Sequence, residues 1–111
     1  MCVNRDRTMW HRSWPQRNYQ FNKYARRTLK RKGWPENYIE DVVLELVWNA
    51  AGGRCEACEL PVDLDAPLSS LLKAQFDHRY PLCWGGRHEQ RNVQLLHQAC
   101  HKVKSKIKRA A

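Results

Sequence analysis

Acidic residues are scarce in this sequence, long apolar runs are absent, and the cysteines are odd in number. Only 11 Asp and Glu stand against 20 Lys and Arg in 111 residues, giving a formal net charge of +9. Such a balance favours polyanions, either nucleic acid or an anionic membrane surface, over acidic-surface exclusion. No window approaches the roughly 18 consecutive apolar residues of a membrane-spanning helix, so no membrane span is expected. The opening MCVNRDRTMWHRSW lacks the apolar core of a secretory signal. A soluble protein of a reducing, cytoplasmic interior is therefore expected. Five cysteines, two of them in a Cys-x-x-Cys, fit a metal site better than a disulfide framework. There are no internal repeats and no low-complexity tract, and the length suits one domain with a modest core and an added arm.

The charge that is present is arranged in blocks. Residues 1–33 hold ten Lys and Arg against Asp6, residues 34–72 hold Arg54 against eight acids, and residues 73–111 hold nine basic residues against Asp77 and Glu89. Two basic blocks around an acidic one predict two contact patches for a phosphate backbone. Residues 1–17, with Trp10, Trp14 and Pro15 scattered among arginines, show no period and read as an irregular arm. Phe21, Tyr24, Ala25 and Leu29 form one stripe and predict a helix over 18–32 that stops at Gly33. Its outer face is basic through Arg26, Arg27, Lys30 and Arg31.

Further along, Asn37 with Glu40 three residues on reads as a capping-box-like start. Ile39, Val42, Val43, Leu46, Val47 and Ala50 then predict a helix over 38–51 that ends at Gly52 and Gly53. A loop follows over 59–73, with a short helix through SSLLK. Strands are expected over 74–80 and 93–96, separated by a Gly85–Gly86 turn. A last helix runs from Ala99, with Val103 and Ile107 on one face.

Cys55-Glu-Ala-Cys58 has the two-residue gap that brings two thiolates to one tetrahedral ion. His97-Gln-Ala-Cys100 repeats the gap with one imidazole, and zinc accepts such a Cys₃His set. A structural zinc held by Cys55, Cys58, His97 and Cys100 would tie the 38–51 helix to the strand–helix end of the chain. The alternative is Cys83 as fourth ligand in place of His97. Cys2, in the arm, needs no role.

The stretch FDHRYPLCWGG sets Asp77 directly beside His78. Asn92 and His101 follow thirteen and then eight residues apart, with Lys104 beyond the last. Asp77-His78, Pro81, Gly85-Gly86, Asn92-Val93-Gln94-Leu95-Leu96 and His97-x-x-Cys100-His101-x-x-Lys104 together resemble the HNH endonucleases of the ββα-metal superfamily. The resemblance covers roughly 52–108. It implies a small α+β fold, with a ββα-metal core, a structural zinc site and added N-terminal helices. Residues 51–111 would be the HNH nuclease domain, and residues 1–50 a basic arm and helices extending the DNA footprint.

The implied activity is divalent-metal-dependent hydrolysis of DNA phosphodiester bonds, by nicking or double-strand cleavage, leaving a 5′-phosphate and a 3′-hydroxyl. Such hydrolysis needs a base for water and a cation against the charge that develops at phosphorus. His78 suits the base. Asp77 and His101 suit the cation, Mg²⁺ or Mn²⁺, with Ni²⁺ as a substitute. By the same resemblance Asn92 fastens the loop between the strands and helps orient His78. Arg79, Arg87, Arg91 and Lys104 stand near that centre as phosphate clamps. One centre per chain cuts one strand, so a double break requires a dimer or two encounters. The small size fits a phage or mobile-element nuclease. His97 departs from the cysteine that many members carry. Competing readings are a non-catalytic zinc-stabilised DNA-binding module and a zinc-stabilised protein-interaction domain.

Neighbours on a regular strand point to opposite faces. Asp77 and His78 can therefore share a site only if the strand ends there, which Pro81 and the glycines would permit.

Overall fold

The computed structural model describes residues 13–67 and 70–110, with side chains described only as far as residue 104 in the last helix. Cys2 and Trp10 of the expected arm lie outside the described residues. Helix α1, Trp14–Lys32, starts earlier than the apolar spacing predicts. Ser13 Oγ accepts from the Gln16 N–H at 3.3 Å, and Gln16 Oε1 accepts from the Ser13 N–H at 3.1 Å. This reciprocal cap, with Pro15 in the first turn, draws residues 14–17 into the helix, and they are not an irregular arm. Gly33, at φ 82°, ends the helix in the left-handed region as expected.

The inward face of α1 is also different. Asn22, Ala25, Thr28 and Leu29 are buried, whereas Tyr24 is 61% exposed. Two polar residues occupy positions that apolar counting passes over. Asn18 Oδ1 accepts from the Leu44 N–H at 2.8 Å. The Asn22 amide accepts from the Val42 N–H at 2.9 Å and donates to the Val42 carbonyl at 3.2 Å. Both asparagines thus satisfy the backbone of the next segment, which buried peptide groups require.

That segment is not the helix expected over 38–51. Pro35–Asn37 forms one 3₁₀ turn, residues 38–43 are not helical, and helix α2 covers only Leu44–Ala51. Asn37 caps nothing; its amide donates to the carbonyls of Gly85 at 3.2 Å and Gly86 at 3.4 Å. Ile39 N–H donates to the His88 carbonyl at 3.0 Å, and Val43 exchanges backbone bonds of 2.8 and 3.0 Å with the Gln90 side chain. Glu40 accepts from the Gln90 N–H at 2.9 Å. External partners for the peptides of Ile39, Glu40, Val42 and Val43, together with the β-branched side chains of Ile39, Val42 and Val43, outweigh a helical period. Ile39, Val43 and Leu46 accordingly face outward, while Val42 and Val47 enter the core.

Strands β1, Ala74–His78, and β2, Val93–His97, pair antiparallel with Phe76 opposite Leu95 and His78 opposite Val93. Strand β1 stops at His78, two residues before the expected end, and Pro81 then opens a 3₁₀ turn over Leu82–Trp84. No helix forms among the described residues of 59–73. Helix α3, Gln98–Ala110, follows β2 directly. The result is an α+β fold in which a two-stranded sheet and three helices share a core. Val42, Leu44 and Val47 pack in that core with Val62, Val93, Leu95 and Leu96, and Trp14 and Phe21 of α1 lie against them. No helix among the described residues is long and apolar enough to cross a membrane.

Candidate active site and metal centre

Two centres lie at the two ends of the β2–α3 junction. In the first, one ligand atom from each of Cys55, Cys58, His97 and Cys100 lies within 4.8 Å of all the others. A tetrahedral zinc with bonds of about 2.0–2.3 Å holds its donors under about 4 Å apart, so the set needs a movement of only about 1 Å to close. His97 Nε2 lies 2.7 Å from the Pro61 carbonyl, which can only accept, so Nε2 carries the proton. Nδ1 is therefore left with the lone pair, and it is Nδ1 that faces the Cys58 sulfur at 3.2 Å and the Cys100 sulfur at 4.0 Å. Orientation of a ligating imidazole by a carbonyl on its far nitrogen is the usual support of a metal site.

The thiols themselves are poised for an ion. Burial raises the Cys55 thiol, but the N–H groups of Cys58, His97 and Ala57 outweigh it and bring its pKa down to about 6. Burial, then the sulfurs of Cys55 and Cys58, push the Cys100 thiol up to about 12. Several thiols this close cannot all ionise cheaply unless a cation stands among them. The donor set thus fits zinc. Cys83 is exposed and lies in the other centre, outside this cluster.

The second centre is a cleft of about 620 Å³ between α1, β1, the Leu82–Trp84 turn and α3. Asp77, His78 and His101 all line it. Asp77 Oδ1 lies 3.5 Å from His101 Nε2. The Lys104 ammonium bonds the other Asp77 oxygen and donates to the His78 carbonyl at 2.6 Å. Strand alternation sends Asp77 toward α3 and His78 toward α1, yet the sheet ends at residue 78 and both side chains reach the cleft. Asn92 holds the chain just beyond: its amide accepts from the Tyr80 N–H at 3.0 Å and donates to the carbonyls of Tyr80 at 3.1 Å and Arg87 at 2.7 Å.

Sequence reasoning missed the residues behind His78. His78 is 5% exposed and stacks on Phe21, ring centroids 5.1 Å apart and 15° from parallel. Its Nε2 is 2.9 Å from Nδ1 of His88, which is fully buried, and His88 Nε2 is 2.6 Å from Asn22 Oδ1. Burial, reinforced by His78, lowers the His88 pKa to about 4. The available signal was one more histidine between the Gly-Gly turn and Asn92. Nothing local distinguishes it from a surface residue.

The basic residues expected to meet phosphate fall into two groups. Arg79 forms a 2.7 Å ion pair with Glu56 and donates to the Arg91 carbonyl, Arg91 lies 3.4 Å from Glu89, and Lys104 is held on Asp77. Arg26 lies over the Tyr38 ring at 4.6 Å and 3.6 Å from Asp41. Arg27, Lys30, Arg31 and Arg87 are exposed.

The later part of the chain is thus a two-stranded antiparallel sheet followed by a helix, with an Asp-His pair at the strand end and a Cys/His cluster beside it that could hold zinc. Residues 55–106 match the family described as HNH endonuclease. That match suggests nuclease activity in general. No curated protein and no solved structure matches the chain.

Proposed function

We propose that the protein is a divalent-metal-dependent HNH endonuclease that hydrolyses DNA phosphodiester bonds, leaving a 5′-phosphate and a 3′-hydroxyl. The observation that carries this reading is the convergence of Asp77, His78 and His101 on one cleft, with the carboxylate and the imidazole of residue 101 3.5 Å apart. An oxygen and a nitrogen at that separation can both reach one ion with bonds of about 2.1 Å. The Lys104 ammonium against Asp77 is a cationic group already accommodated at that carboxylate. Asp77 and His101 would hold Mg²⁺ or Mn²⁺, while Cys55, Cys58, His97 and Cys100 hold structural zinc. When bound, the divalent ion supplies positive charge to the phosphate and to the leaving 3′ oxygen.

His78 takes the proton of the attacking water, and Phe21 and the protein interior hold its ring in place. Asn92 closes the loop that follows His78 and so fixes where β1 ends. Arg27, Lys30, Arg31 and Arg87 offer cations to the backbone on either side of the cut. Residues 1–50 extend that footprint. The non-catalytic DNA-binding reading draws on one observation, that the Lys104 ammonium occupies one oxygen of the Asp77 carboxylate.

Supercoiled plasmid incubated with the zinc-loaded protein, with and without Mg²⁺ or Mn²⁺, separates the two. Divalent-dependent nicking is expected, and it should fall by on the order of 10²–10⁴ in His78→Ala. Tight binding without cutting under either ion would leave the zinc-stapled binding module, and full activity in pure His78→Ala would remove His78 from the reaction.

A further inference from the structure

We propose, on the reading of Asp77 and His101 as the cutting centre, that the cleft around them is also a base-binding subsite. Tyr24 of α1 stacks there on an unpaired nucleotide, so the substrate is a DNA strand that is single-stranded at the cut. Tyr24 has the sequence position of a core residue but not its burial. It falls in the apolar stripe that spacing directs inward, yet it is 61% exposed and lines the cleft. Ala25 and Leu29 of the same stripe are fully buried. Tyr24 belongs instead with Gln20, Phe21 and Thr28, which line the cleft beside it. Their spacing of i, i+1, i+4 and i+8 makes them one surface of the helix.

The walls have the chemistry of a nucleobase site. A phosphodiester alone asks for cations and donors on an open surface. Here Phe21, Tyr24, Phe76, Pro81 and Leu82 line the same cleft as Asp77 and His101. Gln20 and Gln75 add side-chain amides that bond to none of the described residues. An amide offers a donor and an acceptor together, as the edge of a base does. The volume of about 620 Å³ lies within the roughly 300–1,000 Å³ of sites that enclose a small organic group. The acid–imidazole pair is also recessed, the Asp77 side chain being 14% exposed and that of His101 29%. A base stacked and paired within its own duplex cannot enter such a cleft. A base free of its partner can, and an exposed tyrosine gives it a face to stack on. The row along α1 continues through Arg27 and Arg31, three and seven residues past Tyr24 and both exposed. An aromatic ring followed by cations is the pattern that tracks a single strand. Helix α1 lies outside residues 55–106, so this wall of the cleft is added to the matched region.

The test is fluorescence anisotropy of the zinc-loaded full chain, with no other divalent ion present so that nothing is cut. The probes are one labelled DNA oligonucleotide, single-stranded and annealed as a perfect duplex, at equal salt. The single strand should bind about ten-fold tighter than the duplex. Tyr24→Ala should weaken single-strand binding on the order of ten- to hundred-fold and leave duplex binding within about two-fold. Tyr24→Phe, which keeps the ring face, should bind as the unaltered protein does. A duplex bound as tightly as the single strand overturns the inference, even if Tyr24→Ala fails to fold. So does a folded Tyr24→Ala that keeps its affinity for the strand, or loses it equally for both probes. Cutting is read separately on supercoiled plasmid with Mg²⁺ or Mn²⁺. An uncut plasmid beside a selective Tyr24 loss sinks the endonuclease reading and leaves a single-strand binding site. A nicked plasmid without that selective loss sinks the subsite alone.

Discussion

Acid should loosen this fold through a single buried histidine. His88 has no solvent exposure. Burial is the main reason its pKa falls from 6.5 to about 4; charge on His78 and Arg26 pushes the same way, and Asp41 opposes them. Tyr38 also packs against the ring, with centroids 4.6 Å apart. Between those two values the unfolded chain binds a proton at residue 88 that the folded chain refuses. Protons in that window therefore favour unfolding: the stability contribution is complete above pH 6.5 and is lost as pH falls toward 4. At about 1.4 kcal/mol per pH unit, the ceiling is roughly 3 kcal/mol. Over the narrower span from pH 7 to 5.5 the expected loss is about 1.2 kcal/mol. Urea unfolding of the zinc-loaded protein at both pH values, with His88→Gln alongside, isolates it, because carboxylates and zinc ligands contribute equally to both proteins. The unaltered protein should lose about 1 kcal/mol more than His88→Gln on acidification. Parallel losses in the two would refute a neutral buried His88.

The zinc clasp predicts that Cys58→Ser loses stoichiometric zinc and lowers the melting temperature by more than about 10 °C, whereas exposed Cys83→Ser changes neither; metal analysis and calorimetry read both. At Gly86 an added Cβ would collide with the carbonyls of Tyr80 and Pro81, the latter at 2.7 Å. Gly86→Ala should therefore cost about 1–3 kcal/mol in urea unfolding and reduce nicking, since the backbone loop behind His78 must shift. An unchanged midpoint would mean the loop is slack. Asn92→Ala removes three hydrogen bonds to Tyr80 and Arg87. At about 0.5–1.5 kcal/mol each the expected loss is roughly 2–4 kcal/mol; an equally stable variant would show that Asn92 fastens nothing.

Much of the ββα unit was legible in the sequence because its information is local. Two-residue gaps set ligand reach, so Cys55, Cys58, His97 and Cys100 could be grouped before any coordinates, and they do meet. A Gly-Gly turn between two expected strands announced the hairpin, and Asp77, His78 and His101 reach one cleft. The first half of the chain read less well. Apolar spacing over 38–51 is a real helical period, yet residues 38–43 are not helical because His88, Gln90 and Asn22 satisfy peptides there instead. Partners tens of residues away in sequence leave no trace in a local window.

The chain by itself thus determined which residues could be grouped as candidates for metal-site and acid–base chemistry, since that depends on residue type and short spacing. Only the tertiary structure decided what stands behind them: Lys104 against Asp77, Glu56 against Arg79, and Asn22 and His88 behind His78. The physical reason is that a hydrogen bond is made by whichever donor and acceptor the packed core brings within about 3 Å, and in this fold the pairs lie on different elements.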